Sequence, residues 1–328
     1  VIVVAGEALI DLVPREPGDP LSPLTPARGG GPYNTAVALA RLGSPVAFCS
    51  RVSTDAFGAS LVERLEAEGV DTGPVQRGPE PTSLAAVLPG PDGSADYAFY
   101  TEGTADRLFA LPGPLPAGAR ALSLGTCSLV LEPGASAYRE LLRREAGRGV
   151  FIALDPNVRP QLIADPGGHR SRLLGLLPHT SLLKLSEEDA LWIAAGEPGG
   201  EPAGGSGGGS AGDPLEAAAR RWLAAGPEAV VVTRGGDGIS VWTRRAACSV
   251  PGVPVGVVDT VGAGDTVNAA LLHALDRRGL LVRGGPAGLG ERDWHEVLSF
   301  AARAAAATCS RAGAEPPYAD ELSPAAAG

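Results

Sequence analysis

Short apolar runs alternate with helix-period segments along most of the chain. The runs at 1–5, 46–49, 121–124, 150–154, 182–185 and 229–233 are aliphatic and end on glycine or polar positions, as buried strands do. Between them lie amphipathic stretches such as 58–68 and 215–225. This alternation predicts an α/β fold with a mainly parallel sheet. The N-terminal VIVVAGEALIDLV has no basic start and contains Glu7 and Asp11, so it reads as one buried strand rather than a signal peptide. There is no internal repeat, and no run of about 18 uncharged apolar residues that could span a membrane.

Two stretches break the rhythm. Residues 12–30 are rich in proline and glycine, and residues 82–101 alternate around Pro91-Asp92-Gly93, a turn signal. A hairpin and a companion strand set apart from the main sheet are expected there, forming a small β lid. Residues 196–212 are low-complexity Gly/Ser, expected to be a flexible surface loop inside a single domain spanning 1–328, because strand and helix patterns resume beyond it.

Composition narrows the function. With 44% hydrophobic residues the 328-residue chain can bury a sizeable core, and with only 5% aromatics that core is aliphatic. A net charge of -10 disfavours a nucleic acid or an anionic membrane as partner, since phosphate backbones are held by clustered Lys and Arg. The four cysteines are scattered and the four histidines show no metal-ligand spacing, so buried, reduced thiols and a cytoplasmic protein are expected. Lys184 is the only lysine, and it follows Leu183 in SLLKLSEED. That excludes a Walker A loop and a protein-kinase Val-Ala-Ile-Lys strand.

The most informative segment is DTVGAGDTVNAALLHAL, residues 259–275. Val267, Ala270, Leu271 and Ala274 follow the i, i+3, i+4, i+7 pattern of a helix with one buried face. Gly262, Ala263 and Gly264 stand just before it, where small residues leave helix N–H groups open to an anion. Asp265 sits in the first turn, placed to accept a proton from an attacking hydroxyl. Taken alone, it reads first as an ordinary N-terminal carboxylate stabilised by the helix dipole.

Other candidates follow strand ends. Asn34, in GGGPYNTAVALARLG, either caps a helix or bonds a polar ligand. Asp11 is read as lying at the end of the first strand, facing a crevice or solvent. ALDPNVRP carries Asp155, Asn157 and Arg159; LLKLSEED carries Lys184, Glu187 and Glu188; VVVTRGGDG carries Thr233 and glycines that would admit a ligand to the backbone.

The order and number of these pieces resemble the PfkB (ribokinase-like) carbohydrate kinases from residue 1 to about residue 322. GGGPYN and DTVGAGD, about 230 residues apart, carry most of the likeness. The resemblance implies a Rossmann-like α/β/α sandwich with a β lid, and transfer of the ATP γ-phosphate to an alcohol with Mg²⁺. It implies Asp265 as general base and Gly262, Ala263 and Gly264 as the anion hole. Asp11, Gly30, Gly31 and Asn34 would hold sugar hydroxyls, with Arg159 near the sugar and the transferred phosphate. Lys184, Thr233, Gly235 and Gly238 would flank the nucleotide. Glu187 would order Mg²⁺ through water, and Asp259, Val261 and Gly313 match parts of a monovalent-cation (K⁺) site.

The sequence departs from the pattern in places: Thr266-Val267 replaces the usual Ala-Phe, Lys184 replaces an Asn, and Ser53 stands where RVGxDxFG is more common. GEALIDL, PTSLA, YTEGTAD, DPNVRP and KLSEED favour the fructokinase-like branch, with D-fructose phosphorylated at a primary hydroxyl. A 2-keto-3-deoxygluconate kinase or another PfkB sugar or nucleoside kinase is the alternative within the family. A non-catalytic sugar- and nucleotide-binding regulator is the alternative outside enzymes. A dinucleotide oxidoreductase fits less well, since GEALID stands where GxGxxG would follow the first strand. Lid pairing in the family implies a homodimer.

Overall fold

The computed structural model describes residues 1–16, 19, 21–89, 95–116, 118–197 and 213–322. The expected turn at Pro91-Asp92-Gly93 and residues 198–212 of the Gly/Ser-rich segment lie outside the described residues.

Eight strands form the main sheet. Its parallel part runs β4 (Val46–Cys49), β1 (Ile2–Ala5), β9 (Ala121–Gly125), β10 (Phe151–Asp155), β11 (Leu182–Ser186) and β12 (Ala229–Thr233), followed by antiparallel β13 (Ile239–Thr243) and β14 (Ala247–Val250). The six predicted runs are the six parallel strands, with bounds shifted by a residue at most. Successive side chains leave a strand on opposite faces. Ile2, Val4, Phe151, Ala153, Ala229 and Val231 accordingly enter one core, under helices α1 (Gly31–Arg41), α2 (Ala56–Ala67), α7 (Ala263–Arg277) and α8 (Glu291–Cys309). Val3, Ala5, Ile152, Leu154, Val230 and Val232 enter the other, against α3 (Gly134–Gly147), α4 (Pro166–Leu174), α5 (Glu187–Ala194) and α6 (Pro214–Ala225). The result is a three-layer α/β/α sandwich.

The N-terminal apolar stretch is two strands, not one. Gly6 has φ +148, and a Cβ there would lie 2.3 Å from the Pro32 side chain. The chain breaks at this point, and β2 (Leu9–Pro14) leaves the main sheet. β2 pairs with β3 (Leu24–Gly29) as one hairpin and lies parallel to β7 (Leu84–Pro89), which pairs with β8 (Ala95–Tyr100) as a second. The companion structure is therefore four strands in two hairpins, one strand more than expected, and it begins at Leu9 rather than at residue 12. A two-stranded ribbon, β5 (Arg51–Ser53) with β6 (Gln76–Gly78), completes the strands among the described residues. Asp55 caps α2 at the Gly58 N–H (2.7 Å) and also accepts from the N–H and hydroxyl of Thr82 (2.9 and 2.7 Å), tying the ribbon's helix to the chain entering β7.

Helix α7 is buried almost all round from Asp265 to Leu275, rather than on one face, because it packs between α1 and α8. Of the four free cysteines, Cys49 and Cys127 are buried, while Cys248 and Cys309 are only half-buried.

Candidate active site

All six parallel strands point their C-terminal ends to one side, and α1 and α7 begin there. The loops leaving those ends and the lid strands β2 and β8 enclose a cavity of about 280 Å³. Asp265 lines it at the start of α7. Gly262 caps that helix in a left-handed conformation (φ 77) that a side chain would strain. A Cβ on Gly262 would also sit 2.6 Å from the Ala314 side chain. The N–H of Ala263 turns back to the Thr260 carbonyl (3.2 Å), and that of Thr266 closes the first helical bond to Gly262. The N–H groups of Gly262, Gly264 and Asp265 find no acceptor among the described residues, and both Gly262 and Gly264 line the cavity. Unpaired donors at a helix N-terminus bind anions.

The Asp265 side chain is buried and accepts a 2.9 Å hydrogen bond from the Asn34 amide. Burial pushes its pKa up to about 7, against the pull of the Asn34 hydrogen bond and of Lys184 and Arg159. A carboxylate poised there both accepts and releases a proton near neutrality. Asn34 is not a cap. Gly30 (φ 107) caps α1, and Asn34 lies inside the helix with its side chain committed to Asp265. Gly31 has no room for a larger residue: a Cβ would lie 2.7 Å from Thr126 and 3.1 Å from the Asp265 carboxylate.

Asp11 faces this cavity from the middle of lid strand β2, not from the end of the first strand as the sequence suggested. Gly29 on β3, which pairs with Leu9 and lies diagonal to Asp11, leaves the space that the Asp11 carboxylate fills. Burial raises the Asp11 pKa to about 6 although Arg159 draws it down. Arg159 is aimed by its own loop, donating to the Asn157 side chain (2.7 Å) and to the carbonyl of Val158 (3.1 Å). The Val158 N–H is held in turn by Asp189 (2.8 Å), which also completes the capping box of α5 with Ser186.

Lys184 enters from β11 and donates to Asp155 at the end of β10 (2.9 Å); both side chains are buried. Glu187, Thr233, Gly235, Gly238, Asp259 and Gly313 do not line this cavity. Glu187 and Thr233 stand at the ends of the adjacent strands β11 and β12, and Glu187 is half-exposed, 3.9 Å from Arg234. Gly238 (φ 103) is required by packing, since a Cβ would lie 2.0 Å from the Val250 carbonyl. Asp259 collects the other candidates of its loop, accepting from the N–H groups of Val261 (3.0 Å) and Gly313 (2.8 Å).

Sequence reasoning missed several lining residues. Glu7 is buried and holds Thr126 and Ser128 from the end of β1, with a 3.1 Å bond from the Ser128 N–H. Thr126 has φ 61, a conformation few non-glycine residues adopt. Tyr97 and Phe99 stack on each other at 5.9 Å and face the cavity from β8; their i, i+2 spacing on an alternating strand was the available signal.

Comparison with known proteins agrees with this geometry. The model of the pfkB family carbohydrate kinases matches residues 1–321. A fructokinase of Rhizobium leguminosarum bv. trifolii is 39% identical over 294 residues, 89% of this chain and 84% of the relative. A fructokinase of Klebsiella pneumoniae is 32% identical, covering 98% of this chain and 97% of its own. The crystal structure of a fructokinase from Xylella fastidiosa with bound ATP superposes with a TM-score of 0.83 at 27% identity, over 98% of this chain and 96% of that one. With a family match along nearly its whole length and its strand ends gathered around a buried carboxylate, this chain belongs to the pfkB family of carbohydrate kinases.

Proposed function

We propose that the protein is an ATP-dependent fructokinase, transferring the γ-phosphate of ATP to a terminal primary hydroxyl of D-fructose. The observation that carries the reading is Asp265: a buried carboxylate near neutrality, fixed by Asn34, beside the open N–H groups that begin α7. The names of the relatives and the ATP of the Xylella structure support the two substrates.

The sugar lies under the lid, its hydroxyls bonded to Asp11, Asn34 and the backbone at Gly30 and Gly31. Arg159 sits between the sugar and the incoming phosphate. The reacting hydroxyl gives its proton to Asp265 as its oxygen forms a bond to the γ-phosphorus and the bond to the β-phosphate oxygen breaks. The open N–H groups of Gly262, Gly264 and Asp265 stabilise the charge on the transferring group, while the Ala263 N–H holds the turn through Thr260. Lys184, Thr233, Gly235 and Gly238 flank the nucleotide. Mg²⁺ fits this donor set: it retains waters and needs only one or two carboxylates besides phosphate oxygens, and half-exposed Glu187, 3.9 Å from Arg234, would hold it through water. Its contribution when bound is to neutralise phosphate charge. The Asp259 carboxylate is occupied by two backbone N–H groups, so K⁺ in that loop would draw on carbonyl oxygens near Val261 and Gly313. A cytoplasmic enzyme of one domain, pairing through its lids as a homodimer, completes the reading.

The test is an ADP-release assay with ATP, Mg²⁺ and K⁺ over a panel of sugars and nucleosides. Fructose should be turned over fastest. Preference for 2-keto-3-deoxygluconate would replace the substrate and keep the chemistry; binding of sugar and ATP without ADP release would point to a regulator.

A further inference from the structure

Lys184 is a charged residue inside an apolar strand. Leu183 and Leu185 point into one aliphatic core and Leu182 into the other. By strand alternation Lys184 shares the Leu182 side, toward α7. Its strand partner on β12 is Val231, which offers no charge. An ion pair buried like this one, with Asp155, generally gains a fold little over a well-packed apolar pair, because desolvating two charges offsets their attraction. Its place in the molecule suggests another use. The ammonium lines the cavity, and a Cβ on Gly264 would lie 3.1 Å from Nζ, so the charge stands directly beside the open end of α7. An ammonium has three donors. One goes to Asp155, and the described residues supply no acceptor for the others.

We propose that Asp155 is a positioning residue, fixing the charged ammonium of Lys184 beside Gly264 as a contact for the terminal phosphate of a bound nucleotide. This rests on the phosphotransfer reading above. The acidic groups acting on Lys184 are Asp155 from β10, Asp265 from α7 and Asp189 from α5. Burial alone would lower the Lys184 pKa, but Asp155, with smaller help from the other two, raises it above the ordinary value. Asp155 itself is acted on by Lys184, Asp189 and Arg159. Among the described residues only Asp155 touches the ammonium, so without its charge burial would prevail and the amine would lose its proton more readily.

A single lysine makes this directly measurable. Protein grown with ¹³C-lysine and carrying no tag gives one side-chain Cε resonance. In the wild type that signal should stay at its ammonium position up to the free-lysine value of about 10.4, and it should move on adding ADP or ATP with Mg²⁺. In Asp155→Asn its titration midpoint should fall below the wild-type value. Turnover in that variant should drop about 10²-fold, as displaced contacts at a reacting group do, with the KM for fructose little changed and the alkaline limb of kcat shifted to lower pH. A wild-type midpoint at or below about 10.4, or no movement with nucleotide, would overturn the proposal. So would an Asp155→Asn midpoint equal to that of the wild type. Should Asp155→Asn fail to fold, the wild-type titration and nucleotide response decide alone. A nucleotide-dependent shift in a protein that phosphorylates no sugar would uphold the contact and defeat the kinase reading.

Discussion

Asp265→Asn lowers kcat by about 10²–10⁴, the usual cost of removing a positioned general base, while fructose and ATP still bind. The amide keeps an oxygen for the Asn34 hydrogen bond, so the helix start is undisturbed. ADP release measures the first effect and isothermal titration the second. Turnover within a few-fold of wild type would remove Asp265 from the chemistry. The same variant carries a stability signature. Burial raises the Asp265 pKa from 3.8 to about 7. The folded state therefore holds a proton that the unfolded chain loses, and the associated stability is present below 3.8 and lost as pH rises through about 7. Asn has no such dependence, so Asp265→Asn should melt higher than wild type above that pH, and the gap should close in acid. An equal gap at all pH values would mean that Asp265 is not titrating in the fold.

Gly262→Ala produces the second large loss. The residue sits at φ 77, where a side chain costs on the order of 1 kcal/mol. Its new Cβ would lie 2.6 Å from the Ala314 side chain and 3.0 Å from the Ala314 backbone. Either the 312–315 loop or the first turn of α7 must move. The first turn carries the unpaired N–H donors proposed to meet the transferring phosphate, and losing one such donor costs about 10²–10³ in kcat. Steady-state kinetics should show kcat falling further than fructose affinity, with a modest drop in melting temperature. A variant that melts lower but keeps full kcat would place those donors outside the reaction.

The sheet was legible because six of its strands are continuous aliphatic runs, and an aliphatic run of four or five residues has few other places to go. The helix start at Gly262 was legible because its glycines and Asp265 are consecutive. What sequence spacing hid was anything set by a single backbone break or a long-range contact. Gly6 looks like one more small residue in an apolar stretch, yet its φ sends Asp11 into the lid. Asn34 looks like a cap, yet Gly30 takes that role because the amide is drawn to Asp265, 231 residues away. Glu7 read only as evidence against a signal peptide; its partners Thr126 and Ser128 lie on another strand's exit. Lys184 carried the clearest unused signal: a charge within a buried strand demands a partner, and Asp155 ends the neighbouring one.

The pH dependence of kcat/KM for fructose tests the central claim most directly, since it reports the ionisation of the free enzyme's essential groups. With Asp265 as the base, kcat/KM should be level above about 7 and fall tenfold per pH unit below it. It should steepen below about 6, where Asp11 takes up its proton, and Asp11→Asn should abolish only the steeper limb. A profile that stays flat through both of those values would contradict the assignment of Asp265 as the base.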